Sequence, residues 1–433
     1  MKTKPGSLYQ WIALCAFFIL CCATGAAQSE SRSIEDLNMK GGDAVQPPFS
    51  DSVLNVDGTF RQSMLAEGAA LRFNIFTSYS QESLRAPSNP DAQQYTGQYP
   101  FETEVLTGIF SADLHQLGLR HTQLDIAGMW DWASWRTDGP KKLGIWQLYL
   151  YKEFGNDRVE LKAGYNSNEF EFVGMQVGGS TTTASAGIFT ILPNEVGMAF
   201  YPLPAPQLNL RVHGPGRSYA KSGIQRSLDA GGGVAEWARN STGLRFIPKG
   251  DKALLIEEVG WRRSSGPDAG QFWFRSGYMH NSTRFKNFAS GKMEPGNHLA
   301  YALADAQLTR PDSGRPWRGL YGGLSAMTSA SQFNDYARYY EARLYENGPF
   351  AKRPTDLVSV ISSYSPHSSF LTNRLAAAGQ PVWRNSATVS GSYNMHAGAG
   401  QYLIFAMTYI HGPAITPRLP DAFTLSATYS VFF

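Results

Sequence analysis

The C-terminal segment of the chain, residues 422–433, alternates between apolar and polar side chains over 423–431 and ends in two phenylalanines. Its polar positions are small and hydroxylated, and its apolar positions are Phe423, Leu425, Ala427, Tyr429, Val431 and Phe433. Successive side chains on a β-strand point to opposite faces, so this segment predicts a strand with one apolar and one polar face. Such a strand needs two different environments, one on each side.

The same period of two recurs from residue 71 onward. It is clear over 71–80, 123–132, 158–165 and 300–308, and we count about 16 such segments. Tight turns alternate with long loops rich in Pro, Ser, Asn and Gly, which is typical of a membrane barrel with one short-turn rim and one long-loop rim. The sequence therefore predicts an all-β fold, a transmembrane antiparallel β-barrel of about 16 strands with short periplasmic turns and long extracellular loops.

A soluble β-sandwich would give the same alternation, because its apolar faces pack inward rather than toward lipid. Three features favour the barrel. All three cysteines precede residue 23, the final strand ends in Phe433, and aromatic residues stand near strand ends at Trp130, Trp132, Tyr149, Tyr165, Trp261 and Tyr409. Aromatic girdles of this kind mark both membrane interfaces of outer-membrane barrels. The final strand resembles the signal that barrel-assembly machinery reads, so we expect that machinery, outer-membrane lipids and lipopolysaccharide as partners.

The first 27 residues predict a cleaved signal peptide. Lys2 and Lys4 precede an apolar stretch over 11–23, and the small residues of 24–27 follow it. The stretch is too short for a retained helical anchor, and neither Cys21 nor Cys22 follows the small residue expected before a lipid-modified cysteine. We therefore divide the chain into a signal peptide (1–27), a polar and mobile N-terminal lead (28–59) and a barrel (60–433). Within the barrel segment, only residues 60–68 have a helical period, and that segment is short.

Composition and motifs exclude several other classes. Aromatic residues make up 13% of the chain, which is too many for a disordered protein. Without Lys2 and Lys4 the charge is close to neutral, so nucleic acid is not an expected partner. No nucleophile elbow, metalloprotease motif or phosphate-binding loop is present, and the histidines lack metal-site spacing. We expect no enzyme, cofactor or metal; a hydrolase using His280 and Ser282 stays the enzymatic alternative.

The polar faces of the strands predict a lumen of mixed charge. Charged residues on these faces are Arg72, Asp125, Asp131, Glu160, Lys162, Arg275, Asp305 and Arg343. Rings of one sign make ion-selective pores, whereas interleaved donors and acceptors suit the vicinal hydroxyls of a sugar. Tyr149 and Tyr301 are candidates to stack on a sugar ring. Glu257 and Glu258 are adjacent, so strict alternation would turn one carboxylate toward lipid, and a β-bulge or rim position would avoid that cost.

Several motifs resemble one known family. Residues 61–68 lead into the first strand, residues 270–278 form a G-x-Y-x-x-G-like strand, and residues 401–413 form a closing hairpin. The most specific match is Gly348-Pro349-Phe350 followed by Arg353-Pro354-Thr355-Asp356, where Lys352 replaces a usual glycine. Together these resemble the carbohydrate-selective porins of Gram-negative outer membranes, the OprB type, over about residues 58–433.

The resemblance implies a monomeric 16-stranded barrel that admits monosaccharides or small oligosaccharides by passive, selective diffusion. By this resemblance, Arg353 and Asp356 match positions of the family motif, where they have either a structural or a sugar-contacting role. A general or anion-preferring porin is the main alternative. A barrel with a blocked lumen and the hydrolase barrel are the others.

Overall fold

A computed structural model gives the fold and describes residues 33–43, 47–54, 59–84, 93–136, 139–140, 142–155, 158–173, 191–266 and 268–433. Within these ranges, sixteen antiparallel strands form one closed barrel, in which β1 pairs with both β2 and the final strand. A separate two-stranded hairpin stands outside the barrel sheet. The predicted fold class is confirmed, whereas the predicted signal peptide and its cleavage site lie outside the described residues.

The barrel strands before the small hairpin are β1 (Ala69–Glu82), β2 (Phe101–Asp113), β3 (Thr122–Ala133), β4 (Gly144–Phe154), β5 (Val159–Asn166), β6 (Ala205–His213), β7 (Ser218–Arg226), β8 (Ala253–Arg263) and β9 (Phe272–Asn281). The hairpin consists of β10 (Phe285–Lys286) and β11 (Met293–Glu294). The barrel continues with β12 (Asn297–Gln307), β13 (Gly319–Ser329), β14 (Arg338–Asn347), β15 (Leu357–Pro366), β16 (Asn385–Gly398), β17 (Gln401–His411) and β18 (Ala422–Phe432).

Four short helices accompany the strands: α1 (Phe60–Ala66), α2 (Leu192–Glu195), α3 (Gly233–Arg239) and α4 (Ser369–Ala377). Helix α1 stands where the sequence predicts a short helical segment, directly before β1. No helix in the described ranges has both the length and the apolar character that a membrane crossing requires. Turns such as 214–217 and 399–400 lie at one rim, and long connections such as 167–204 and 227–252 lie at the other.

The period of two in the sequence matches the two faces of the barrel wall. Apolar side chains such as Phe73, Leu324 and Val360 are exposed on the outer face, whereas Arg72 and Asn74 on β1 are buried on the inner face. An outer apolar band and a polar interior are what a membrane barrel requires, because lipid surrounds the outside and water fills the lumen. The alternation therefore matches the inner and outer faces of the strands, and the charged residues on its polar phase lie on the inner face.

Strand β8 departs from the expectation for its two adjacent glutamates. Its pairing with β7 and β9 runs without a register shift, and Glu257 is the fifth residue of the strand. Glu258 is buried on the inner face, while Glu257 points outward and accepts a hydrogen bond from the Ser222 hydroxyl at 2.7 Å. The expectation of a bulge or a rim position is therefore wrong. The ladder stays regular and leaves one carboxylate on the outer face.

Two segments fold into the barrel. The first is the connection 167–204, described over 167–173 and 191–204. Its Phe172, Leu192, Val196 and Met198 pack with apolar residues on the inner faces of β8, β9, β12 and β13. Burial of this apolar surface holds the connection against one side of the barrel.

The second segment is the N-terminal lead, described over 33–43 and 47–54. Ile34, Leu37 and Phe49 of the lead pack with Ala70 at the start of β1. Tyr149 donates to the carbonyl of Lys40 at 3.3 Å. These contacts overturn the expectation of a mobile lead, because the described parts of this segment lie bound inside the barrel.

Candidate functional site

The inner face of β5–β9 carries a dense set of charged residues, called here the charged wall. Its members are Glu160, Lys162, Arg211, Lys221, Glu258, Arg262 and Arg275. Every one of them lies on the inward phase of its strand, and two charged residues reach the wall from other segments. Asp43 comes from the lead and Glu171 from the connection after β5. Strands, lead and connection therefore meet at one site.

Asp43 lies at the centre of this site. Its Oδ1 accepts from Arg211 Nη2 at 2.9 Å, its Oδ2 contacts Lys221 Nζ, and Arg262 Nη1 stands 3.8 Å from Oδ1. Its backbone N–H donates to the carbonyl of Phe170 at 2.6 Å, which joins the lead to the folded-in connection. Burial would raise the pKa of the Asp43 carboxyl, but Lys221 and Arg211 outweigh it and hold the pKa well below its usual value.

Glu258 is the second anionic centre of the charged wall. Its carboxylate stands 2.9 Å from Lys221 Nζ and accepts from the Tyr301 hydroxyl at 2.8 Å and the Tyr219 hydroxyl at 3.1 Å. Val173 donates its backbone N–H to the same carboxylate at 3.4 Å. Several donors therefore compensate this buried carboxylate, which is the condition for keeping a charge out of water.

Two glycines make these contacts possible. A Cβ on Gly277 of β9 would stand 2.4 Å from the Tyr301 hydroxyl oxygen, so the tyrosine lies across this strand to reach Glu258. A Cβ on Gly260 of β8 would likewise stand 2.3 Å from the hydroxyl oxygen of Tyr219. Any larger residue at either position would displace a tyrosine from the carboxylate.

Two guanidinium groups of the charged wall lie over one aromatic ring. Arg275 stands 3.8 Å and Arg262 4.4 Å from the ring centroid of Trp273, and the indole N–H donates to the Tyr219 hydroxyl at 2.9 Å. Guanidinium groups stack favourably on the negative face of an indole ring. This stacking holds both guanidinium groups against the wall.

The opposite inner face differs sharply. Strands β15, β16, β17, β18 and β1 present hydroxyl groups to the lumen, and this surface is called here the hydroxyl wall. Its members are Ser78, Ser80, Ser359, Ser363, Ser365, Ser386, Thr388, Ser390, Ser392, Thr408, Thr424, Ser426, Thr428 and Ser430. Several of these hydroxyls bond to one another, such as Thr428 with Ser78 at 3.0 Å and Ser363 with Thr388 at 2.7 Å. Each hydroxyl can both donate and accept, so the wall keeps further hydrogen-bonding capacity.

Comparison with known proteins identifies the family of this barrel. The family model described as "Carbohydrate-selective porin, OprB family" matches residues 135–431. The chain belongs to this family. It is a porin of the Gram-negative outer membrane, a channel that admits carbohydrates.

Solved structures agree with this fold. A high-pH structure of OprB from Pseudomonas putida matches with a TM-score of 0.73 and 14% identity, over 88% of this chain and 98% of that one. A low-pH structure of Pseudomonas putida OprB matches with a TM-score of 0.53 and 13% identity, over 89% and 99% of the two chains. At such identities the likeness concerns the fold alone. A comparison with curated protein sequences finds no match.

The structure brings four of the predicted site residues together in this porin, namely Glu160, Lys162, Arg275 and Tyr301. Lys162 Nζ pairs with Glu171 at 3.3 Å, and Glu160 lies 2.5 Å from His213 and 3.6 Å from Arg211. The rings of Tyr149 and Tyr301, for which stacking on a sugar is predicted, are both buried. Tyr149 instead lies beneath Lys162, whose Nζ is 4.7 Å from the ring centroid.

Three other predicted residues lie on the inner face of their strands but do not border the open lumen. Arg72 is fully buried under the lead and donates to the carbonyl of Pro47 at 2.8 Å. Asp125 is also fully buried, and it accepts from the Ser111 hydroxyl at 2.5 Å. Asp131 is half-buried on β3 and packs closely against Gly139 near the long-loop rim.

The remaining predicted residues form two separate pairs. Arg343 binds Asp305 at 2.6 Å across β13, and Glu341 is a second partner of the same guanidinium at 2.7 Å. Arg353 and Asp356 bind each other in the short turn between β14 and β15, and Arg353 also donates to a backbone carbonyl at 3.1 Å. That placement favours the structural role for the Arg353–Asp356 motif over a sugar contact.

Sequence reasoning missed the residues that complete the charged wall: Asp43, Glu171, Arg211, Lys221, Glu258, Arg262 and Trp273. A signal existed for several of them, because Arg211 and Lys221 lie on the polar phase of strands whose other face carries Leu208, Leu210 and Ile224. Strict alternation also turns one of the adjacent Glu257 and Glu258 inward. Asp43 had no comparable signal, since it lies outside any strand. No group of three or more potential metal-ligating side chains occurs in the described ranges.

Proposed function

We propose that this porin passes monosaccharides and small oligosaccharides by passive diffusion along the hydroxyl wall, past the charged wall. The observation that carries the proposal is the row of partly open hydroxyls on β16, β18 and β1, including Thr388, Thr424, Thr428 and Ser78. A sugar exchanges bonds to water for bonds to these hydroxyls as it moves. Each exchange is nearly balanced in free energy, so the sugar can leave again, as conduction requires.

The charged wall supports a preference for neutral solutes. Its cations are matched by carboxylates at short distance, for example Lys162 by Glu171 at 3.3 Å and Lys221 by Glu258 at 2.9 Å. Paired charges create little net field in the lumen, unlike a ring of one sign. The wall therefore shapes the passage and offers polar contacts without drawing ions through it.

The proposal includes the setting of the channel. The signal peptide is removed after Ala27, the barrel-assembly machinery recognises β18 and Phe433, and the porin works as a monomer in contact with outer-membrane lipids and lipopolysaccharide. The short-turn rim then faces the periplasm, and the long connections face the medium. The exposed apolar side chains of the outer face, such as Phe73 and Val360, support contact with lipid.

Liposome swelling with the refolded protein tests this function. Glucose and a disaccharide are compared with an amino acid and a salt of similar size. Faster entry of glucose than of the size-matched amino acid supports the carbohydrate channel. Rates set by size alone would reduce it to a general porin, faster entry of the anion would favour an anion-preferring pore, and no swelling at all would contradict an open channel.

A further inference from the structure

The lead reaches the charged wall through a series of specific contacts. Gln123 on β3 donates to the carbonyl of Asn38 at 3.0 Å, and Gln147 on β4 contacts the sulfur of Met39 at 3.1 Å. At Gly41 the backbone has φ +73°, and a Cβ there would stand 2.7 Å from Cε of Lys162. The positive φ favours a glycine at this position, which brings Asp43 to the centre of the wall.

The lead is also fastened beyond Asp43. Glu35 accepts from the backbone N–H groups of Phe49 and Ser50, each at 2.9 Å, which ties its two described parts together. Asp51 accepts from the backbone N–H of Gly400, in the turn between β16 and β17, at 2.7 Å. The lead is therefore held on both sides of the barrel, and Asp43 is positioned rather than free.

Asp43 places a carboxylate where cationic side chains converge. Arg211 and Lys221 contact it directly, Arg262 is 3.8 Å away, and its side chain is only 5% exposed. A carboxylate bound by a guanidinium and an ammonium group is the arrangement by which proteins recognise acidic ligands. The protein's own side chain occupies that arrangement here.

We propose that Asp43 determines the charge specificity of the channel by occupying the site that the carboxylate of an acidic sugar would otherwise take. This inference rests on the proposed function and deepens it. Neutral sugars need no cationic site, so they pass along the hydroxyl wall. Uronates and aldonates meet cations whose charge Asp43 already neutralises.

The test compares Asp43→Asn with the wild-type porin in proteoliposomes, using labelled glucuronate and glucose as probes. The amide carries no charge, so the charged wall gains one net positive charge and the ratio of glucuronate to glucose entry should rise about tenfold. In planar bilayers under a KCl gradient, the reversal potential should shift toward anion selectivity. Asp36→Asn is the matched control, because Asp36 is an exposed carboxylate of the same lead, and it should change neither readout.

A double variant makes the test stricter. Asp43→Asn combined with Arg211→Gln removes one cation as well as the carboxylate, so the net charge of the wall equals that of the wild type, and both the entry ratio and the reversal potential should return toward the wild-type values. Disaccharide entry is measured in every variant. If Asp43→Asn raises the entry of glucose, disaccharide and glucuronate together, the lead acts only as a steric obstacle and the proposal is overturned.

An unchanged glucuronate-to-glucose ratio in Asp43→Asn would also overturn it. Failure of the proposed function looks different. In that case the wild-type porin itself would show no preference for glucose over the size-matched amino acid, whatever Asp43→Asn does to the reversal potential.

Discussion

On the charged wall, polar side chains are buried and bound to one another, whereas on the hydroxyl wall several remain partly open to the lumen. Lys221 and Glu258 have side chains 1% and 0% exposed, while Thr424 and Thr428 are half-buried. The difference follows from the cost of desolvation. A buried charge needs fixed partners, whereas a hydroxyl can exchange one partner for another at little cost. Fixed charge pairs therefore suit a wall that sets the shape and selectivity of the channel, and hydroxyls suit a wall along which a solute moves.

The largest effect is expected from breaking a charge pair on the charged wall. Glu258→Ala leaves Lys221 without one carboxylate and leaves the hydroxyls of Tyr219 and Tyr301 without their acceptor. Removal of one partner from a buried pair costs ~3–5 kcal/mol. We expect the urea midpoint of the refolded barrel to fall, measured by loss of its heat-modifiable mobility on gels.

Glu257→Ala on the same strand is the matched control. Its carboxylate points outward, where a charge is unfavourable in lipid, so its removal should leave the midpoint unchanged or raise it. Equal losses in the two variants would mean that the inner and outer faces of β8 do not differ as described.

A second effect concerns Glu169, in the connection that lies against the inner wall. Burial raises the pKa of Glu169 to about 8, and the backbone N–H of Tyr201 opposes this rise only in part. For an acid whose folded-state pKa is raised, stability is greatest below the unfolded pKa of 4.5 and is lost as pH rises toward 8. The free energy that holds the connection against the inner wall should therefore fall by ~2 kcal/mol between pH 5 and pH 7.

The measurement is single-channel current across this pH range. Wild-type porin should show more frequent fluctuations of current as the pH rises, because the docked connection loosens. Glu169→Gln cannot ionise, so its fluctuations should stay at one level from pH 5 to pH 8. The same pH dependence in Glu169→Gln as in the wild type would assign the titration to another group.

Much of the difference between the two walls could be predicted from the sequence, but only where it follows from the pattern of neighbouring residues. The period of two is set by neighbouring residues, so it placed Glu160, Lys162 and Arg275 on the inner face. Asp43 and Arg211 are 168 positions apart, and no local pattern encodes a contact at that separation. Glu171 and Lys162 are close in the sequence, but the period of two does not encode their contact either, because it depends on how the connection after β5 folds back.

The outward Glu257 shows a different limit. Alternation gave the correct geometry, namely one glutamate on each face, but the cost of a lipid-facing carboxylate argued for a bulge. The regular ladder of β8 and the bond from Ser222 show that the backbone pairing prevails. A local energetic argument is weaker here than the hydrogen bonds of a closed barrel.

A smaller effect is expected on the hydroxyl wall. Thr428→Val keeps the shape of the side chain and removes a hydroxyl that bonds Ser78 at 3.0 Å. Glucose entry in the swelling assay should fall about twofold, because one polar contact along the path is lost. The reversal potential should not change, since no charge is altered. Thr328→Val, at a residue exposed on the outer face of β13, is the control and should leave glucose entry unchanged.

The smallest effect is expected at the short-turn rim, where the two walls end. Arg353→Gln removes an exposed side chain that binds Asp356 and the carbonyl of His396. Asp356 keeps the hydrogen bond from the backbone N–H of His396 at 3.1 Å, so the turn retains its shape. Glucose entry should equal that of the wild type in the swelling assay. A clear loss of glucose entry with unchanged amino-acid entry would give Arg353 a direct sugar contact and extend the path to the rim.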